Sequence, residues 1–361
     1  IAALRPVAAA NPELMEVRLN LAQALARSGK AELVDEGEHI YRDLLLKYPG
    51  RLEIYEDLTT VLLNGGRHEE ALSVYNQGLM LSPRWVNGMA GKGQVLLRLS
   101  RNTEAESVLR QALQEDPRHS RVNLAYGQLL FQAGRVAESL PYLKTAVNLE
   151  PENPDAALNL AFALQKLGRT DEALKVLQKC LDSGQAHPQL LAEKGALLLR
   201  KNQAGAAIEP LQQAWKMGRD NVMVMGNLGL ALAISGDLPG AISVFEKIVV
   251  LEPDLADGHA QLGAMYAQLG NIERADKELH RALKNDPENA AVLVNLGQVH
   301  LMNNERREAR KNFLAALKVD PRFVPALYQL GELEDKEGNR QEATRLIEKA
   351  RQYEKSGRSK P

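Results

Sequence analysis

Proline sets the frame for this chain. Pro49, Pro83, Pro117 and Pro151 stand 34 residues apart, and Pro253, Pro287 and Pro321 keep the same step. Between Pro151 and Pro253 lie 102 residues, three more periods, with Gln185 and Arg219 in the two intervening proline positions. The register therefore runs from Pro49 to Pro321 without an insertion or a deletion. A period of this length calls for tandem copies of one supersecondary unit, each packing on the next, in place of a single hydrophobic core. The length agrees, because 361 residues exceed what one core ordinarily serves.

Each copy can be numbered so that the proline is its thirty-second residue. The fifteenth is then Gly66, Gly134, Gly168, Gly236, Gly270 and Gly338, with Ser100, Asn202 and Asn304 as substitutes. Glycine or asparagine at this place fits a left-handed residue that ends one helix and turns into the next. The eighth position is Gly93, Gly127, Gly195, Gly229, Gly263, Gly297 and Gly331, and the twentieth is alanine from Ala71 to Ala343 with Ser139 as the exception. Small residues there let two antiparallel helices approach closely. The seventh and eleventh positions are largely leucine (Leu58 and Leu62, Leu160 and Leu164, Leu228 and Leu232), a spacing of four that places both on one helical face. The twenty-fourth is large, as in Tyr75, Leu109, Phe245 and Phe313. Each copy thus reads as two helices of about 13 residues, roughly 20 Å long. Composition fits: hydrophobic residues are 45% of the chain but aromatics only 4%, so the core is built from Ala, Leu, Val and Gly, which favours packed helices over sheets.

With these residues in place, the chain closely resembles the tetratricopeptide repeat family over residues 13–355. The resemblance implies an all-α fold, a right-handed superhelical solenoid of about ten tandem helix-turn-helix repeats. Local departures carry their own expectations. Three extra residues between Gly29 and Gly37 should lengthen the turn around Lys30-Ala31-Glu32. The fourth position, a large aromatic in the family, is Tyr55, Met89, Leu191, Met225 or His259, which softens that contact. Pro141 and Pro210 fall inside second helices and should distort them, since proline removes a helical hydrogen bond. The stretch 183–221 lacks the recurring proline and should be the least regular part.

The register also divides the chain. Leu4, Val7 and Pro12 occupy the twenty-fourth, twenty-seventh and proline positions of a preceding repeat. Residues 1–12 read as the second helix of a truncated repeat, and the chain as a piece of a longer polypeptide. Residues 13–357 form the repeat array, and 358–361 a disordered polar tail.

Little in the sequence points to catalysis. The seven histidines include no pair at helical metal-site spacing, and they read as surface or interface residues. No phosphate-binding loop, serine-nucleophile elbow or zinc-protease motif is present. Cys180, the one cysteine, occupies a small buried position usually held by Ala and reads as an inert core thiol. No catalytic, cofactor or metal role is assigned to any residue. The 45 basic and 46 acidic residues give a formal charge of -1, which provides no long-range field to gather nucleic acid or an anionic membrane. No apolar stretch reaches the roughly 18–20 residues a membrane helix needs. The expected setting is a soluble one, cytoplasmic or periplasmic.

Function is then expected on the inner wall, which in the resembling family is lined by first-helix residues. The sixth position is Asn20, Asp57, Gly91, Ala125, Asn159, Glu193, Asn227, Gln261, Asn295 and Gln329. An amide both donates and accepts, so a row of amides can hold the backbone of an extended peptide without reading its sequence. The recurring asparagine looks like the ladder in the repeat arm of the O-linked N-acetylglucosamine transferases. Neighbouring inner positions are apolar: Leu124, Phe131, Leu158, Phe162, Ala192, Ala196, Met223, Leu230 and Ile234. Such a groove suits a partner segment. The fifth positions carry no lysine, which argues against the chaperone-tail clamp found in some members. The expectation is a non-catalytic scaffold or adaptor that binds a protein or peptide partner, with no nucleic acid partner and no membrane insertion. Two alternatives stay open: a substrate-recognition arm of a larger enzyme, for example a glycosyltransferase, and self-association through the solenoid ends.

Overall fold

The computed structural model describes residues 1–184, 186–218 and 221–358, so Gln185 and Arg219, in two of the proline positions, lie outside the described residues. Among those described the chain is all-α, with 21 helices and no strand. It divides into two compact units, Ile1–Ala186 and His187–Pro361, and the boundary falls inside the stretch expected to be least regular. In the first unit α1 (Leu4–Ala10) precedes five helix pairs: α2 (Met15–Ala26) with α3 (Ala31–Lys47), α4 (Leu52–Asn64) with α5 (His68–Leu81), α6 (Val86–Arg98) with α7 (Asn102–Glu115), α8 (Ser120–Gln132) with α9 (Val136–Leu149), and α10 (Pro154–Lys166) with α11 (Thr170–Ser183). The second unit has five more: α12 (Pro188–Arg200) with α13 (Ala204–Met217), α14 (Val222–Ile234) with α15 (Leu238–Leu251), α16 (Ala256–Gln268) with α17 (Ile272–Asn285), α18 (Ala290–Met302) with α19 (Arg306–Val319), and α20 (Val324–Lys336) with α21 (Arg340–Arg358). Residues 359–361 of the expected tail lie outside the described residues.

The turn between the two helices of a repeat shares one backbone form, although in the first repeat Lys30 N–H donates to a side chain, Ser28 Oγ at 3.3 Å. Its fifteenth residue is left-handed in every repeat, including the three that are not glycine: Ser100 at φ 59°, Asn202 at 57° and Asn304 at 61°. In the repeats after the first, the next residue closes the helix by donating its N–H to a carbonyl five residues back, as Arg67 does to Leu62 at 2.8 Å and Arg135 to Leu130 at 2.9 Å. These bonds satisfy carbonyls that a helix end would leave unpaired. A Cβ in the left-handed region costs energy that glycine avoids, and asparagine tolerates it better than serine. Ser100→Gly is therefore expected to stabilise the first unit by about 0.5–1 kcal/mol, with Asn304→Gly gaining less in the second. Urea midpoints measure both, and an unchanged midpoint for Ser100→Gly would refute the strain.

Within a repeat the two helices close on a small residue. At Gly93 an added Cβ would lie 2.5 Å from Leu109 Cδ2, and at Gly229 it would lie 2.6 Å from Phe245 Cε2. The eighth residue of the first helix is thus the socket for the twenty-fourth of the second. The paired leucines at positions seven and eleven, Leu58 with Leu62 and Leu228 with Leu232, are buried beside it. Between repeats, successive first helices touch one another, as α6 with α8, α8 with α10, α12 with α14 and α18 with α20, while successive second helices stand farther apart. First helices therefore form the inner wall of each unit and second helices the outer one.

One departure behaves differently from expectation. The extra residues of the first repeat do not lengthen its turn: Gly29 is left-handed as elsewhere, and α3 begins at Ala31 and runs 17 residues where the other internal second helices run 14. Ala31, Glu32 and Leu33 are good helix formers, so the insertion joins the helix. Pro141 and Pro210 lie inside α9 and α13, which keep the standard 14 residues, so any distortion they cause does not shorten either helix. Each proline costs the single hydrogen bond its own nitrogen would donate, and packing on the neighbouring first helices outweighs that loss. At the N-terminus α1 packs Ala8 against Leu21 and Leu25.

Candidate functional site

The sixth position of the first helix faces the inner wall, and the two units treat it differently. In the first unit the row is broken. Asn20 is exposed, and Asp57 accepts a hydrogen bond from Gln23 Nε2 at 2.9 Å. Gly91 is covered by the ring of Tyr75, whose Cζ would stand 2.2 Å from an added Cβ, and Ala125 is fully buried. Asn159 spends one of its two amide N–H donors inside its own helix, giving Nδ2 to the Asp155 carbonyl at 2.7 Å.

In the second unit the row is continuous. Glu193, Asn227, Gln261, Asn295 and Gln329 fall on α12, α14, α16, α18 and α20, and all five are half-buried. Among the described residues the four amides make no side-chain hydrogen bond within the protein. Their donors and acceptors are left for solvent or a ligand, and successive helices present them one repeat apart. An extended backbone offers the complementary groups.

The apolar neighbours divide by burial. Leu124 and Leu158 are buried and close one helix on the next, so they belong to the packing. Phe162 is 37% exposed, Ile234 69% and Met223 78%, values that put these side chains in solvent where a partner could cover them. Phe131, Leu230, Ala192 and Ala196 lie between these extremes. α14 shows why the second unit differs: Val222–Ile234 contains one polar side chain, Asn227, and no charge. A surface helix that is apolar on every face leaves one of those faces uncovered.

Two carboxylates sit on this wall at a cost. Oε1 of Glu193 is buried without a hydrogen-bond partner, and burial pushes its carboxyl above the usual carboxylate range, with Arg200 opposing the shift. Glu56 in the first unit is in the same condition, its burial again outweighing the nearby Arg121. Arg121 donates to Gln94 Oε1 at 3.0 Å and to the Tyr75 hydroxyl at 3.4 Å. A carboxyl whose folded-state pKa is raised contributes stability that is fully present below its unfolded pKa and lost as pH rises through the folded pKa. Glu193→Gln is therefore expected to raise the thermal midpoint at neutral pH and to leave it unchanged in acid. A lower midpoint at neutral pH would refute the assignment.

Reactive groups elsewhere are explained by packing. Cys180 is buried and burial pushes its thiol up. His259 corrects the surface reading of the histidines: it is 4% exposed, with Nδ1 2.7 Å from Glu278 Oε2 and Nε2 2.9 Å from the Pro253 carbonyl. Its fourth position is a core position, which in other repeats holds Met89, Leu191 or Met225. Tyr55 and Asn123 stand at the same position and likewise reach the carbonyls of Pro49 and Pro117. Among the described residues no group of His, Cys, Asp and Glu converges as metal ligands do, and no helix is long and apolar enough to cross a membrane.

Comparison with known proteins agrees with this architecture. Three family models, each describing a tetratricopeptide repeat, match residues 130–197, residues 91–157 with 193–256, and residues 256–299. Together they run from 91 to 299, more than half of the chain. No curated protein sequence matches. Among solved structures, a chain of the APC/C hetero-tetramer Cut9-Hcn1 is similar at 15% identity and a TM-score of 0.53, covering 89% of this chain and 63% of its own length. The present chain thus spans just under two thirds of that one. A structure of Pseudomonas aeruginosa pilF is similar at 18% identity and a TM-score of 0.50, covering 60% of this chain and 97% of its own. At these identities the likeness is one of fold.

Proposed function

Because the chain belongs to the tetratricopeptide repeat family, a fold typical of protein–protein interaction scaffolds, we propose that it is a non-catalytic scaffold or adaptor that binds an extended segment of a protein partner along its inner wall. The observation that carries this reading is the row of half-buried amides in the second unit, Asn227, Gln261, Asn295 and Gln329, with no hydrogen-bond partners of their own. Met223, Leu230 and Ile234 beside them supply apolar surface for alternate side chains of the same segment. The segment is held mainly by its backbone, so affinity depends on several repeats acting together.

The test is a pull-down in which partners are identified for the wild-type chain and for Asn227→Ala/Asn295→Ala. The double variant is expected to lose partners that the wild type recovers. Each change is partly exposed and should cost about 0.5 kcal/mol or less in stability, which a melting curve verifies. Asn159→Ala is the internal control: its amide nitrogen is held against its own helix by the Asp155 carbonyl, so it should retain the wild-type set. Identical recovery by all three proteins would overturn the reading.

A further inference from the structure

The outer wall carries a feature that the inner groove does not use. Between second helices α13 and α15 a cleft of about 520 Å³ opens down to α14. Leu228, Leu232 and Val244 form its floor, Trp215 one wall, and Gln212, Lys216 and Lys247 its rim. Trp215 is exceptional in the register: the same position is Leu or Val in every other repeat between Leu45 and Leu317. Its ring is half-buried, with the Lys247 ammonium 4.7 Å from the ring centroid.

The charged side chains that line the cleft, Lys216 and Lys247, are of one sign. Among the described residues Lys216 and Lys247 make no ion pair. The neighbouring acids are engaged elsewhere, Glu246 by the Tyr266 hydroxyl at 2.6 Å and Glu209 by Gln213 Nε2 at 3.2 Å. The first unit repeats the design two periods earlier, between α9 and α11. Leu160, Leu164 and Val176 stand where Leu228, Leu232 and Val244 do, and Lys144, Lys175 and Lys179 form the rim of a smaller cleft of about 280 Å³. There Glu172 is held by Arg169 at 2.6 Å, and Val147 takes the place of Trp215.

We propose that the Trp215 cleft is a second docking site, on the outer wall, which takes a hydrophobic side chain flanked by carboxylates from an acidic segment of a protein partner. The apolar floor and the indole face accept the anchor, as buried aromatic pockets do at interface centres. The unpaired lysines meet the flanking carboxylates, and charge complementarity sets both specificity and rate of encounter. A basic segment would face Lys216 and Lys247 with no acid among the described lining residues to receive it. With one site inside and one outside, the chain holds two partners at once.

The experiment uses the full chain and a fluorescently labelled synthetic peptide in which a Leu-Phe anchor is flanked by glutamates, with a matched peptide carrying lysines instead. Anisotropy should report binding of the acidic peptide alone, weakening as salt is added. Lys216→Glu/Lys247→Glu should weaken it by about tenfold or more. Trp215→Leu, which restores the side chain of neighbouring repeats, should weaken it with the melting temperature preserved. Asn227→Ala/Asn295→Ala should bind as wild type does. Equal binding of the two peptides, no binding of either, or wild-type affinity in the lysine variant would overturn the proposal. Loss of binding in the asparagine variant would also overturn it, by placing the peptide on the inner wall and leaving the inner-groove reading intact.

Discussion

Phe313→Ala is expected to destabilise the second unit by about 3–5 kcal/mol, the largest effect of any single change considered. The ring is fully buried and sits directly over Gly297, where an added Cβ would lie 2.4 Å from Phe313 Cε1. Truncation removes apolar contact on all sides and leaves a void that the α18–α19 pair cannot collapse into, because the backbones already touch through glycine. Gly297→Ala should also destabilise, by overpacking, at about 1–3 kcal/mol. The two losses should not add: in Gly297→Ala/Phe313→Ala the new methyl enters the space the ring vacated. Hydrogen exchange in α18 and α19 is the readout of choice, since a repeat array need not unfold as a single cooperative body. Strict additivity of the two changes would refute the socket.

The second large effect concerns His259 and Glu278. Glu278→Val alone should cost about 2–4 kcal/mol, because it leaves a buried imidazole without its 2.7 Å partner. Glu278 also accepts from Arg281 at 2.9 Å, so the loss extends to that contact. Elsewhere the same two positions are apolar, as Met225 with Val244 and Met89 with Val108. His259→Met/Glu278→Val copies that arrangement and is expected to return to within about 1 kcal/mol of wild type or to exceed it, because replacing both partners of a buried hydrogen bond by apolar groups leaves no polar group unsatisfied. Chemical denaturation of the two single variants and the double closes the cycle. A double variant as unstable as the sum of the singles would refute this account.

What the sequence revealed and what it hid follow from range. The left-handed turn residues were legible because the requirement is local: the backbone itself selects Gly, Asn or, at strain, Ser100. The glycine sockets were legible through recurrence, since Gly93, Gly229 and Gly297 face a large residue sixteen positions later every time. Gly91 looked like one more small residue in the inner row. Only the fold shows the ring of Tyr75, from the preceding repeat, filling its place. His259 likewise read as a surface or interface histidine that softens a contact, and its buried acid stayed hidden because that partner lies nineteen residues away in a helix whose charges resemble solvated ones. The inner row itself was legible, but not which of its amides were already engaged. Asn159 and Asn227 share a position, and of the two, among the described residues, it is Asn159 that donates to a carbonyl of its own helix.

The lengthened α3 bears on which insertions such a chain tolerates. Three residues turn a helix by about 300°, so the connection at Gly29 still enters α3 from nearly the side it uses in the other repeats, while Tyr41 and Leu44 remain fully packed. One or two added residues would turn that entry point by about 100° or 200°, and the short link from α2 could not follow without pulling the helix off its neighbour. Length variation among second helices should therefore come in steps of three, four or seven residues, a pattern that a library of insertions after Lys30, sorted for folded protein, would display directly.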